Sequence, residues 1–119
     1  MQYLRLDMYI NSKEILIGED DATEAGFESI LNLTDIIDSR IAEEIRTSGV
    51  SSIPAELRTE TILNLIWEMT DIDAQADDEI NFCMCLWERD EETLESEHLF
   101  SAYTINQLSQ GVLYEQVYE

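Results

Sequence analysis

Residues 80–87, Ile-Asn-Phe-Cys-Met-Cys-Leu-Trp, form an apolar stretch rich in strand-forming side chains. Ile80, Phe82, Met84 and Leu86 recur with a period of two, which places them on one face of a β-strand. Acidic residues lie on both sides of this stretch. The pattern predicts a core strand between two anionic segments, so the chain must fold around a sheet.

Alternating side chains near the amino terminus predict a hairpin. In residues 2–10 the apolar even-numbered positions from Leu4 to Ile10 share one face, and polar or aromatic side chains share the other. Residues 11–13 have turn chemistry, and residues 14–18 fit the return strand.

The middle of the chain has helical spacing. After an acidic lead-in over residues 19–25, apolar residues recur through residues 27–45 at mostly helical intervals. Gly49 fits a C-cap. Thr34 is a candidate cap for a second helix within this region, and the spacing alone leaves one helix or two open.

Three further elements are predicted. An apolar stripe indicates a helix over residues 54–73, with Trp67 as a rim aromatic in preference to a partner-binding anchor. Ser96 can cap a helix over residues 97–109, and the alternation in residues 112–118 fits a last strand.

The element order predicts a small α+β fold, with residues 1–119 as a single acidic domain. Its antiparallel or mixed sheet would contain the N-terminal hairpin, the central strand near residues 80–87 and a possible C-terminal strand. Three to four helices would pack on one face of that sheet.

The charge of the chain restricts its partners. With 27 acidic residues against 6 basic ones the net charge is −21, whereas the apolar share of 45% is enough for a core. Solubility needs a net charge of only about 2–8 in magnitude. Nucleic acid and anionic lipid would both be repelled, so a basic protein is the expected partner. Adaptation to high salt is a weaker explanation, because the chain has 14 Ile against 3 Val.

The expected location is the cytoplasm. No apolar run is long enough to cross a bilayer, and the first residues lack the apolar core of a signal peptide.

A calcium loop is the first metal site that the sequence suggests. The segment from Asp71 through Asp73 to Asp77 imitates the start of an EF-hand. The motif requires glycine at position six and glutamate at position twelve, where this chain has Ala76 and Phe82. We therefore expect no calcium site.

Cysteine and histidine chemistry is equally limited. Cys83 and Cys85 would point to one side of the strand, and with His98 they are too few for a Cys/His zinc site. A disulfide across one residue would be strained, so two buried thiols are expected. His98 has no nucleophilic triad pattern around it, and the four glycines form no phosphate loop. We expect neither a cofactor nor enzymatic activity.

The density of acid leads to a functional hypothesis. We expect a non-enzymatic inhibitor that occupies the DNA or RNA site of a basic protein, with carboxylates in the place of phosphates. Small phage or plasmid proteins that block CRISPR effectors or restriction enzymes have similar charge and size, although this is not a likeness of sequence. The expected contact residues are Asp71, Asp73, Asp77, Asp78, Glu79, Glu88, Asp90, Glu91, Glu92 and Glu95, with Glu19, Asp20, Asp21, Glu24 and Glu28 as a second patch.

Two other hypotheses remain open. An immunity protein that neutralises a nuclease toxin would have the same electrostatics. A structural subunit would instead use tyrosines near the two ends of the chain as a self-interface, and a homodimer of this kind is also compatible with an inhibitor. Those tyrosines are Tyr3, Tyr9, Tyr114 and Tyr118.

Overall fold

The computed structural model describes the backbone of residues 2–101 and the side chains through residue 97. Residues 2–101 form five strands and three α-helices. In chain order they are β1 (Gln2–Ile10), β2 (Lys13–Asp21), α1 (Glu24–Asp35), α2 (Ser39–Ser48), β3 (Val50–Ser52), a short 3₁₀ helix (Ala55–Leu57), α3 (Glu60–Thr70), β4 (Ile80–Arg89) and β5 (Ser96–Ser101).

The five strands form one open antiparallel sheet, and the predicted α+β fold is confirmed. The strand order is β2-β1-β4-β3, and β5 also pairs with β4. β3 pairs with Asn81–Cys83 and β5 with Cys85–Arg89, so these two strands share one edge of β4. β4 is therefore the central strand, as its apolar sequence predicts.

The core lies between one face of this sheet and the helices. Leu6 of β1 pairs with Met84 of β4, and both side chains are fully buried. Phe27 of α1 and Ile45 of α2 are also fully buried in the same cluster. Burial of one such side chain stabilises the fold by about 1.5–3 kcal/mol. Because many side chains are buried between the sheet and the helices, this layer is the main source of stability.

Residues 27–45 form parts of two helices, and the caps decide where each begins. The Thr23 hydroxyl accepts a hydrogen bond from the Gly26 amide at 3.0 Å, and the Asp38 carboxylate accepts one from the Arg40 amide at 2.7 Å. Gly49 ends α2 with a φ of 78°, which confirms the predicted C-cap. Thr34 was a wrong choice of N-cap, because α1 continues to Asp35 and the Thr34 hydroxyl donates to the Leu31 carbonyl.

Two boundaries predicted in the first half of the chain are wrong. Residues 19–21 are not a lead-in but the end of β2, since they pair with residues 3–5 of β1. The helix predicted over residues 54–73 begins only at Glu60. Before it, β3 supplies hydrogen bonds to part of the β4 edge, whose backbone groups need partners when buried.

The helix predicted over residues 97–109 is wrong over residues 97–101. Those residues belong to β5, which pairs with the second half of β4. An apolar strand with an open edge favours such a partner more strongly than a helix with one cap. Residues 102–109 and the strand predicted over residues 112–118 lie outside the described residues.

Within the described residues, no helix combines the length and apolar character needed to span a membrane.

Candidate functional site

The two ends of the sheet carry the acidic residues, and strand direction decides which of them meet. β1 is antiparallel to both β2 and β4, so Tyr3 pairs with Asp21 on one side and Trp87 on the other. An Arg89 guanidinium nitrogen lies 3.4 Å from a Glu19 carboxylate oxygen. We call this end of the sheet the β4–β5 end. Its predicted contact residues are Glu19, Asp20, Asp21, Glu24, Glu88, Asp90, Glu91, Glu92 and Glu95.

The second cluster lies at the opposite end of the sheet. Ile10 pairs with both Lys13 and Ile80, so the segment before β4 lies beside the β1–β2 turn. We call this the hairpin end. Its predicted contact residues are Asp71, Asp73, Asp77, Asp78 and Glu79. β4 has ten residues, and at about 3.3 Å per residue it holds the two ends about 30 Å apart.

The structure therefore brings together two groups that the sequence keeps far apart. Residues 19–24 and residues 88–95 meet at the β4–β5 end, although more than sixty positions separate them. Residues 71–79 come directly before β4, and residues 88–95 include its end and the turn after it. The first segment therefore lies at the opposite end of the sheet from the second. The register of the β1–β2 hairpin determines this grouping, because a return strand that extends to residue 21 must end beside residue 3.

A close backbone contact sets the position of α1 at the β4–β5 end. A Cβ atom added to Gly26 would lie 2.0 Å from the Asp21 carbonyl oxygen, so only glycine fits here. Glu24 lies in the first turn of α1, exposed to solvent. A carboxylate is favoured there by the helix dipole. The glycine contact thus holds Glu24 near the acidic end of β2.

Glu28 differs from the rest of its predicted patch. The Arg46 guanidinium donates to its carboxylate through both terminal nitrogens, one of them at 2.8 Å. These hydrogen bonds lower the pKa of Glu28. Arg46 also lies 3.5 Å from Glu43. Glu28 therefore joins α1 to α2, and its charge is largely compensated.

The connection between β4 and β5 is a tight turn organised by one carboxylate. Asp90 accepts hydrogen bonds from the Glu92 and Thr93 amides at 2.8 and 3.0 Å, and these bonds lower its pKa. The Thr93 hydroxyl accepts from the Glu95 amide at 3.3 Å. Asp90 thus shapes the turn, while the carboxylates of Glu91, Glu92 and Glu95 are exposed to solvent.

One carboxylate also organises the hairpin end. Asp78 accepts from the Gln75 amide at 2.8 Å and from the Asn11 side chain at 2.9 Å, and both bonds lower its pKa. The Asn11 side-chain oxygen Oδ1 in turn accepts a hydrogen bond from the Glu79 backbone amide at 2.9 Å. Asp78 is therefore a positioning residue, and the exposed carboxylates around it include Asp77.

The arginines leave most of this acid without a counter-ion. Four of them bind carboxylates, and the fifth, Arg58, donates to the backbone carbonyls of Ile53 and Asp78. The four carboxylate-binding arginines are Arg5 (to Asp7 and Glu14), Arg40 (to Asp38), Arg46 (to Glu28 and Glu43) and Arg89 (to Glu19). Two of the predicted contact residues, Glu19 and Glu28, take part in these ion pairs.

The face of the sheet opposite the core helices carries aromatic and charged side chains. Tyr3 stacks on Trp87 with ring centroids 6.5 Å apart, and the Arg5 guanidinium lies 4.8 Å from the Trp87 ring. Arg5 also donates to Asp7 at 2.7 Å. Burial of Asp7, which is 0% exposed, raises its pKa, and the hydrogen bond from Arg5 opposes that rise. Tyr3 is buried and Tyr9 half-buried, while residues 114 and 118 lie outside the described residues.

The two thiols point to the same side of β4, as predicted. Their sulfur atoms are 3.6 Å apart, with Cys85 buried and Cys83 half-buried. The prediction of two buried thiols is therefore met fully by Cys85 and only in part by Cys83. The side chain of His98 lies outside the described residues.

Among the described residues, no three His, Cys, Asp or Glu side chains lie close enough together to hold a metal ion. Comparison of the chain with family models, with curated proteins and with solved structures gave no match.

Proposed function

We propose that this protein is a non-enzymatic inhibitor of a basic protein that binds or cleaves nucleic acid, and that it blocks the DNA or RNA site of that protein. One observation carries the proposal. Exposed carboxylates are concentrated at the two ends of the sheet, and the arginines that could neutralise them are mostly bound elsewhere.

The physics is that of phosphate recognition with the roles exchanged. A nucleic-acid site is lined with lysine and arginine side chains that neutralise a phosphate backbone. Carboxylates accept the same charge-assisted hydrogen bonds, and arginine binds them in bidentate geometry. Acids held on strand ends and in tight turns are already ordered, which lowers the entropic cost of association.

The clustering of acidic residues also lowers the free energy of unfolding, and this cost supports a role for the acid beyond solubility. Like charges held together repel one another and destabilise the compact state. At the β4–β5 end, Glu88, Asp90, Glu95 and Glu97 line one shallow polar depression of about 360 Å³. A chain under no demand for a local negative field could spread the same acids over its surface.

Charge reversal at matched positions tests the proposal. Three triple variants to lysine change the net charge equally: Asp20, Glu91 and Glu92 at the β4–β5 end; Asp73, Asp77 and Glu79 at the hairpin end; and Asp35, Glu43 and Glu56 on the helices as the control. Each is used to capture proteins from a lysate at low and high salt. The captured protein is then purified, and its binding to duplex DNA and to RNA is measured with and without the inhibitor.

We expect wild type to compete with nucleic acid and to lose affinity steeply as salt rises. Reversal at the contacting end should weaken binding by at least about tenfold and flatten the salt dependence, whereas the helix control should change affinity far less. Equal effects of all three variants, or nucleic-acid binding that persists when the target is saturated with inhibitor, would refute the proposal. The activity of the captured protein also separates a CRISPR effector or restriction enzyme from a nuclease toxin.

A further inference from the structure

The outer face of α3 exposes a tryptophan. Half of the Trp67 surface is accessible, and it is the largest apolar side chain exposed in the described part of the chain. The preceding residue, Ile66, is fully buried in the core. Successive residues of a helix are turned by about 100°, so burial of Ile66 directs its neighbour away from the sheet. Trp67 therefore presents about half of its surface to solvent and to any partner of this face.

The surroundings of Trp67 are acidic. Glu68 follows it directly, and Asp71, which caps the C-terminal end of α3, donates its backbone amide to the Trp67 carbonyl at 2.8 Å. Glu60 lies two turns earlier on the same exposed side. The ion pairs among the described side chains, those of residues 2–97, involve none of these three acids.

The helix itself adds to this negative field. The last turn of α3 contains no basic residue, and the partial negative charge of the helix dipole falls at that end. Glu68 and Asp71 lie where the dipole disfavours acids. The exposed indole is thus held beside a concentrated negative field that the fold does not compensate.

We propose that the outer face of α3, centred on Trp67, docks a basic segment of a protein partner. An arginine guanidinium of that segment stacks on the indole ring while Glu68 and Asp71 bind its N–H groups. This inference rests on the proposed function and deepens it, because it assigns the contact to the hairpin end and names its anchor.

Charge decides between this occupant and the alternatives. An apolar partner would bury Glu68 and Asp71 without counter-charges, at a large desolvation cost. A second copy of this chain would bring two sets of acids together, and nucleic acid would be repelled in the same way. A basic segment is the occupant whose cations can both stack on the indole ring and pair with the carboxylates.

Titrations with octa-arginine and octa-lysine peptides test the inference, with tryptophan fluorescence as the readout at Trp67 and isothermal titration calorimetry as the measure of affinity for every variant, including those that lack Trp67. Titrations at two salt concentrations use wild type, Trp67→Ala, Trp67→Phe and the double variant Glu68→Gln/Asp71→Asn. Asparagine tolerates the left-handed backbone of Asp71, whose φ is 59°, so the double variant preserves the end of the helix. Ile36→Ala is the matched control, because Ile36 is 60% exposed and lies between α1 and α2.

We expect octa-arginine to change the emission of wild type and to leave that of Trp67→Phe nearly unchanged. Trp67→Ala should lose about threefold to tenfold in affinity for octa-arginine, with a smaller loss for octa-lysine. The double variant should flatten the salt dependence, and Ile36→Ala should bind as wild type does.

Equal octa-arginine affinity of Trp67→Ala and Ile36→Ala would overturn the inference. So would a fluorescence response that persists in Trp67→Phe. Either result leaves the proposed function standing, because that function is refuted by other outcomes: equal effects of the three charge-reversal variants, or nucleic-acid binding by a target saturated with inhibitor. Thermal melts of all variants confirm that each compared protein is folded.

Discussion

Replacing Gly26 with alanine should destabilise the fold, although alanine is the better helix former. Gly26 lies in the first turn of α1, where helix propensity alone favours the change by about 0.5–1 kcal/mol. The structure predicts the opposite sign. The new methyl carbon would lie 2.0 Å from the Asp21 carbonyl oxygen and 3.1 Å from its carbonyl carbon, and both are backbone atoms.

The size of the effect follows from what has to move. A contact of 2.0 Å can be relieved only if α1 shifts away from the end of β2 by more than 1 Å. Such overpacking typically costs about 1–3 kcal/mol, and occasionally more, and the propensity gain offsets part of it. Because a backbone shift of this size places the cost near the upper end of that range, we expect a net loss of about 2 kcal/mol in the free energy of unfolding. For a chain of this length that lowers Tm by about 6–12 °C.

Gly18→Ala is the matched control for this prediction. A Cβ atom there would lie 2.6 Å from a terminal methyl carbon of Leu33, which can rotate away. We expect Gly18→Ala to change stability by less than about 1 kcal/mol in either direction. Thermal and urea unfolding of both variants give the comparison. A Tm for Gly26→Ala at or above that of wild type would show that the contact with Asp21 does not hold α1 in place.

Two further changes test the core and a cap. Phe82→Ala empties a fully buried position of β4 and should cost about 3–5 kcal/mol in urea unfolding, whereas Ile36→Ala at an exposed position should stay within about 0.5 kcal/mol of wild type; similar losses would contradict the assigned core. Hydrogen bonds from the Arg40 side chain and backbone lower the pKa of Asp38 to about 2, so its capping contribution is complete above about pH 4 and is lost as the pH falls through about 2. The stability difference between wild type and Asp38→Ala should shrink across that interval, and a constant difference would contradict the assigned cap.

Elements with a strong local pattern could be predicted from the sequence. β4 has its apolar residues at period two, and in the structure Phe82 and Met84 are fully buried on one face. The hairpin was predicted for the same reason, and the Gly49 cap because a helix end favours glycine there. In these cases the residues that determine the element lie within it.

Elements that depend on a distant partner could not be predicted. β3 has only three residues, Val50–Ser52, and β5 has a sequence in which one serine suggests a helix cap. Both form because the edge of β4 offers backbone groups that need hydrogen bonds. The backbone groups of β4 that pair with β3 lie about thirty residues further along the chain, so no local sequence pattern indicates the pairing.

The sequence indicates which acidic residues are candidates for partner contact, but not which of them lie together in the fold. The density of acid along the chain predicts contact residues at both ends of the sheet, but it did not include Glu97, which lines the same depression as Glu88. Their grouping depends on β2 continuing through residue 21, which extends the hairpin beyond its apolar positions. The compensation of Glu28 by Arg46 depends on how α1 packs on α2. The half exposure of Trp67 likewise depends on which face of α3 meets the sheet.

The length of β4 explains how one small fold can hold two acidic surfaces. Its ten residues separate the ends by about 30 Å, which is several times the Debye length of about 8 Å at physiological salt. Repulsion is therefore confined within each end and does not accumulate across the sheet. The two ends should act independently on a partner, so a charge reversal at the end that makes no contact should leave affinity nearly unchanged. This independence is what allows the matched triple variants to identify which end binds.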